Sequence, residues 1–66
     1  MQIVVNGEPR EVADTATVAT LIEALGLSSQ RCAVELAGDI VPRGRWAERA
    51  LAAGDRLEVV RAIGGG

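Results

Sequence analysis

The chain has 66 residues, with one Cys, one Trp and no His, Lys, Tyr or Phe. The length allows one domain, and the residue types exclude an imidazole base, a Ser/His or Cys/His pair, a Schiff-base lysine and a CxxC couple. Seven Arg against nine acidic residues leave a net charge of −2, which argues against a nucleic-acid binder.

Met1, Ile3 and Val5 alternate with Gln2 and Val4, so the chain is predicted to open with a β-strand. Asn6-Gly7-Glu8-Pro9 supplies turn chemistry, and Arg10–Ala13 is expected to return as an edge strand. The period then changes. Val18, Leu21, Ile22 and Leu25 fall at i, i+3, i+4 and i+7, which predicts a helix over Val18–Leu25. Thr17 is its candidate N-cap, with Asp14 and Thr15 as alternatives. Gly26 stands at C′, and Leu27 is placed to fold back on Ile22. Cys32, Val34 and Leu36 mark a third strand. Ala37-Gly38-Asp39 turns the chain, and Ile40-Val41 forms a short fourth strand that Pro42 ends. Arg43–Ala53 has no strand period. Trp46 and Leu51 are its only large apolar residues and are expected to pin an irregular or one-turn helical segment to the core. After Gly54-Asp55, Arg56–Ala62 reads as a final strand with Leu57 and Val59 on one face.

Hairpin, helix, strands and a last strand give an α+β layer pattern, one sheet covered by one helix. A last strand parallel to the first at the sheet centre is the β-grasp arrangement. The expected fold is therefore a mixed four- to five-stranded sheet on one main helix. Residues 1–63 form the domain and 64–66 a flexible tail. No apolar run approaches the ~20 residues of a membrane span, and Met1-Gln2-Ile3 lacks the basic region of a signal peptide. A cytoplasmic protein, monomeric when free, is expected.

The tail, Gly64-Gly65-Gly66, has two readings. Three residues without a Cβ are costly to order, as in a frayed terminus. They also suit a thread that enters a narrow channel of a partner, with a reach from Ile63 to Gly66 of about 13–14 Å when extended.

The chain resembles the ThiS family, ubiquitin-like sulfur carriers of thiamine thiazole biosynthesis. The resemblance rests on three blocks: Ile3-Val4-Val5-Asn6-Gly7-Glu8; Ala33-Val34-Glu35-Leu36 through Gly38-Asp39-Ile40-Val41-Pro42-Arg43 to Trp46; and Gly54-Asp55 through Arg61-Ala62-Ile63 to Gly66. Gly38 departs from the expected polar turn residue, which alters the turn rather than the chemistry. The resemblance implies a carrier that is not itself an enzyme and binds no cofactor or metal. A ubiquitin-activating-like adenylyltransferase would use ATP to adenylate Gly66. Sulfur from a donor such as a cysteine desulfurase would convert it to a thiocarboxylate. Thiazole synthase would receive that sulfur. Gly64 and Gly65 would be the residues that thread the channel.

Candidate partner-contact residues are Val60, Arg61, Ile63, Arg43 and Trp46. Val60 is out of phase with Leu57 and Val59, and Arg and Trp are favoured in interface hot spots. Arg45 and Arg49 lie near Trp46, and a solvated face is the plain alternative for these arginines. Cys32, in phase with Val34 and Leu36, reads as a small buried hydrophobe rather than a sulfur acceptor. Pairs such as Asp14/Glu23 and Glu35/Asp39 show no metal-ligand spacing. Two other functions compete: a related carrier such as the small subunit of molybdopterin synthase, and a ubiquitin-like protein modifier. A ferredoxin is excluded because its cluster needs four Cys.

Overall fold

The structure, a computed structural model, describes residues 1–61. Five strands form one mixed sheet: β1 Gln2–Val5, β2 Glu8–Glu11, β3 Cys32–Leu36, β4 Asp39–Val41 and β5 Arg56–Arg61, in the spatial order β2-β1-β5-β3-β4. The central pair β1–β5 is parallel, and the other neighbours are antiparallel. The helix α1, Val18–Ala24, supplies Val18, Leu21 and Ile22 to a core shared with Ile3, Val34, Leu57 and other inward-facing strand residues.

β2 begins earlier than the sequence suggested. Asn6 (φ 51°) and Gly7 (φ 82°) alone make the turn, with the two positive φ values of a type I′ hairpin. Pro9 therefore lies inside the strand, opposite Val4. The Val12 N–H donates to Met1 O at 2.8 Å, and the hydrogen-bonded pairs alternate from there, so the Pro9 nitrogen points away from β1. An edge strand tolerates the missing donor at such a position. Correspondingly, β2 ends at Glu11 rather than Ala13.

α1 is held at both ends. Thr17 Oγ1 accepts from the Thr20 N–H at 3.2 Å, and Thr20 Oγ1 accepts from the Thr17 N–H at 2.9 Å, a reciprocal cap with Thr in place of the usual Glu. The Val18 and Ala19 N–H groups, unpaired within any helix, donate to the carbonyls of Arg49 and Trp46, each at 3.0 Å. The irregular stretch after β4 thus closes the start of α1. At the other end α1 stops at Ala24, one residue inside the expected boundary, and Leu25 is the C-cap. Gly26 follows at φ 75°, with Leu27 N–H on Ile22 O and Gly26 N–H on Glu23 O, the Schellman pattern.

Candidate functional site

β5 is the element that leads toward the glycine run, and its end is bordered by two different kinds of partner. On one side β3 pairs with it as far as Cys32 opposite Arg61. On the other, β1 stops at Val5, and past that point the Asn6 side chain takes over. Its Oδ1 accepts from the Val59 N–H at 2.8 Å, and its Nδ2 donates to Val59 O at 3.2 Å.

Residue alternation sends Leu57 and Val59 into the core and Val60 to the outer face, where it is 63% exposed. Ile40 shares that face and is 69% exposed; the sequence pattern did not single it out because a three-residue strand shows too little alternation. Glu35 lies directly opposite both Ile40 and Glu58, so two carboxylates stand side by side in the row next to the Ala33–Val60 pair.

Beside the end of β5 lies a shallow cleft of about 610 Å³, walled in part by Arg31, Cys32, Arg43, Val60 and Arg61. Three arginines from segments far apart in sequence line it. Arg43 is fixed twice: Nη2 donates to Gln30 O at 2.7 Å, and Cζ lies 4.7 Å from the centre of the Trp46 ring. The stacking contributes roughly 0.5–1 kcal/mol at an exposed site. Among the described residues none of these three arginines forms an ion pair, whereas Arg45 turns to Glu48 at 3.7 Å.

Trp46 requires a correction. The residue is 6% exposed, and its Nε1 donates to Val41 O at 2.8 Å, so it is a core residue and offers a partner almost no surface. Its place at the rim is as the platform under Arg43. Arg43, Val60 and Arg61 are exposed near one another, as a contact surface requires. Arg31, which the sequence pattern did not mark, joins them. Cys32 is half-buried. Ile63, Gly64, Gly65 and Gly66 lie outside the described residues, as does Ala62, the expected last residue of β5. Among the described residues no group of three His, Cys, Asp or Glu side chains is placed to hold a metal ion, and no helix is long and apolar enough to cross a membrane.

The five-stranded mixed sheet on one helix, with the parallel first and last strands at its centre, defines a ubiquitin-like β-grasp protein. The ThiS family model matches residues 3–66, and the chain belongs to the ThiS family. It is 33% identical to the Sulfur carrier protein ThiS of Escherichia coli over 66 residues, covering all of both chains. It is 44% identical over its whole length to a Thiazole synthase of Paramagnetospirillum magneticum, of which it covers 20%. A thiazole synthase of Magnetococcus marinus shows the same share, so the chain spans about a fifth of the length of these two relatives. The crystal structure of the thiamine biosynthesis protein ThiS from Geobacter metallireducens superposes with a TM-score of 0.83 at 32% identity, covering all of both chains.

Proposed function

We propose that this chain is a sulfur carrier of thiamine biosynthesis whose reactive group is the carboxylate of Gly66. A carboxylate resists acyl transfer because oxide is a poor leaving group. A carboxylate oxygen therefore first attacks the α-phosphorus of ATP in a ubiquitin-activating-like adenylyltransferase, and pyrophosphate leaves. A persulfide sulfur, supplied from a donor such as a cysteine desulfurase, next attacks the acyl carbon and AMP leaves. A reductant cleaves the remaining S–S bond and leaves a thiocarboxylate, whose sulfur passes to thiazole synthase. The carrier contributes no acid, base or metal. Those belong to its partners.

The observation that carries this reading is the end-to-end match to a sulfur carrier, both in sequence and in fold. The matching segments within proteins called thiazole synthase support that enzyme as the recipient. Gly64 and Gly65 are assigned to the partner's channel. From Arg61 the last five residues reach about 17–18 Å when extended, enough to keep the folded body outside while Gly66 reacts within. Val60, Arg61, Ile63 and Arg43 are assigned to the docking rim, with Arg31 added by its place in the cleft. The guanidinium groups there suit carboxylates on the partner.

The test is the intact mass of the chain after incubation with ATP, the adenylating partner and a sulfur donor. A gain equal to the sulfur-for-oxygen difference, confined to the last residue, is expected. A chain that stays unchanged, or is recovered only as conjugates to other proteins, refutes the carrier reading.

A further inference from the structure

We infer that Asn6 is a positioning residue that aims the C-terminal tail, through a side-chain amide that stands in for the missing end of β1. In the parallel β1–β5 pair, Val4 N–H donates to Asp55 O at 2.8 Å and Asn6 N–H donates to Leu57 O at 2.9 Å. The next rung would use the N–H and C=O of Val59, with main-chain partners from the residues after Val5. Those residues are unavailable to β5, because the type I′ turn at Asn6-Gly7 carries the chain away into β2.

The Asn6 amide fills the gap. It has the same donor and acceptor as a peptide group, and it meets Val59 N–H at 2.8 Å and Val59 O at 3.2 Å, across 53 positions of sequence. Val59 also faces Val34 on β3, but in a pair whose main-chain groups point the other way. Ala37 N–H donates to Arg56 O, which marks a hydrogen-bonded pair of that ladder; pairs alternate from there, so Leu36–Leu57 and Val34–Val59, an odd number of steps away, are non-hydrogen-bonded. Without the amide, both main-chain groups of Val59 would lose their partners on the β1 side. Only β3 would then hold Val60 and Arg61, the last described residues before the tail.

Asn at this position meets two requirements at once. It accepts the left-handed φ of 51°, as Gly or Asp also would, and only Asn combines that with both a donor and an acceptor. The consequence for sulfur transfer rests on the carrier reading above. If β5 points the tail, loss of the amide leaves body docking intact and lowers the fraction of docked complexes in which Gly66 reaches the adenylating site.

The experiment compares Asn6→Gly, which keeps the turn geometry and removes the amide, with Asn6→Asp, which keeps the acceptor and removes the donor. Amide exchange in the free protein reads the clamp. Exchange at Val59 is expected to speed up about fivefold to tenfold relative to Val4 in Asn6→Gly, the loss of one net hydrogen bond, and less in Asp. Backbone order parameters of Val60 and Arg61 are expected to fall in the same order. Kinetics with the adenylating partner read the aim: kcat falls several-fold, and KM stays within about twofold because the docking rim is untouched. A variant with unchanged Val59 exchange, or with a lower melting temperature but unaltered kcat per folded molecule, overturns the proposal. If the wild-type chain is not adenylated at all, the carrier reading fails, while unchanged order parameters at Val60 and Arg61 would separately refute the aim.

Discussion

The turn between β3 and β4 offers a clean energetic test, because one residue in it has the wrong side chain for its backbone. Ala37 sits at φ 53° and Gly38 at φ 87°, the two positive values of a type I′ turn. Gly accepts this region freely. Ala pays a contact between Cβ and the following carbonyl of roughly 1–2 kcal/mol. Ala37 is exposed, so replacing it removes no core packing. Ala37→Asn is therefore expected to stabilise the domain by about 1 kcal/mol, since Asn tolerates left-handed backbone. Ala37→Gly removes the same strain but loses roughly 0.5–1 kcal/mol to the greater freedom of the unfolded chain, so it should gain less than Asn. For a domain of this size 1 kcal/mol moves Tm by about 4–8 °C. Thermal melts followed by circular dichroism read the shift, and urea unfolding should show a higher midpoint at unchanged slope. The turn meets β5 at Arg56, the opposite end from Arg61, so conversion of Gly66 should not change. A Tm that stays level or falls in both variants would refute the assignment of strain to Ala37.

Trp46→Phe removes the indole donor to Val41 O, which stays paired with Val34 in the sheet, and leaves a small void in the core, which is expected to cost about 1–3 kcal/mol. Urea unfolding followed by circular dichroism measures it, since Trp46 is the chain's one Trp. The Met1 α-ammonium donates to Val12 O at 2.7 Å and faces Asp14 at 3.2 Å and Glu11 at 3.5 Å. Its hydrogen bond to Asp14 raises its pKa above the usual 8.0. A folded-state pKa above the unfolded one means that this contribution is complete below about pH 8 and disappears as pH rises through the raised value. Urea midpoints should accordingly decline from pH 8 upward, and N-terminal acetylation should abolish that part of the decline. Arg43→Gln is expected to raise KM for the adenylating partner several-fold at low salt, with a smaller effect at high salt, as screening of a rim charge requires. Deleting Gly66 should abolish the mass gain and leave the far-ultraviolet circular dichroism of the full chain.

Most of the elements were legible in the sequence because their signals are local. The 3.6-residue period from Val18, the Thr17 cap and the Gly26 stop each act within one or two turns, and all three appear in the structure. Alternation placed Leu57 and Val59 inward and Val60 outward, as found. Glu8 and Pro9 carry turn chemistry in the sequence because Pro cannot donate to a ladder; the pairing phase that makes Pro9 harmless depends on β1, which Pro9 itself does not reveal.

What only the tertiary structure decided is which distant residues meet. Trp46 next to three arginines looked like a rim in the sequence, yet the end of β4 draws its indole inward to pair with Val41 O, and only Arg43 remains outside on its face. Arg31, Arg43 and Arg61 converge because β3 and β5 are paired and the loop after β4 returns beside them. Asn6-Gly7 announces a turn by itself, but that turn chemistry is the same whether or not the amide has a further task. The bond to Val59 exists because the fold sets β1 beside β5 and then ends β1 one rung short. Local preference specifies φ and periodicity over a few residues; the partner of a side chain 53 positions away is specified only when the sheet closes.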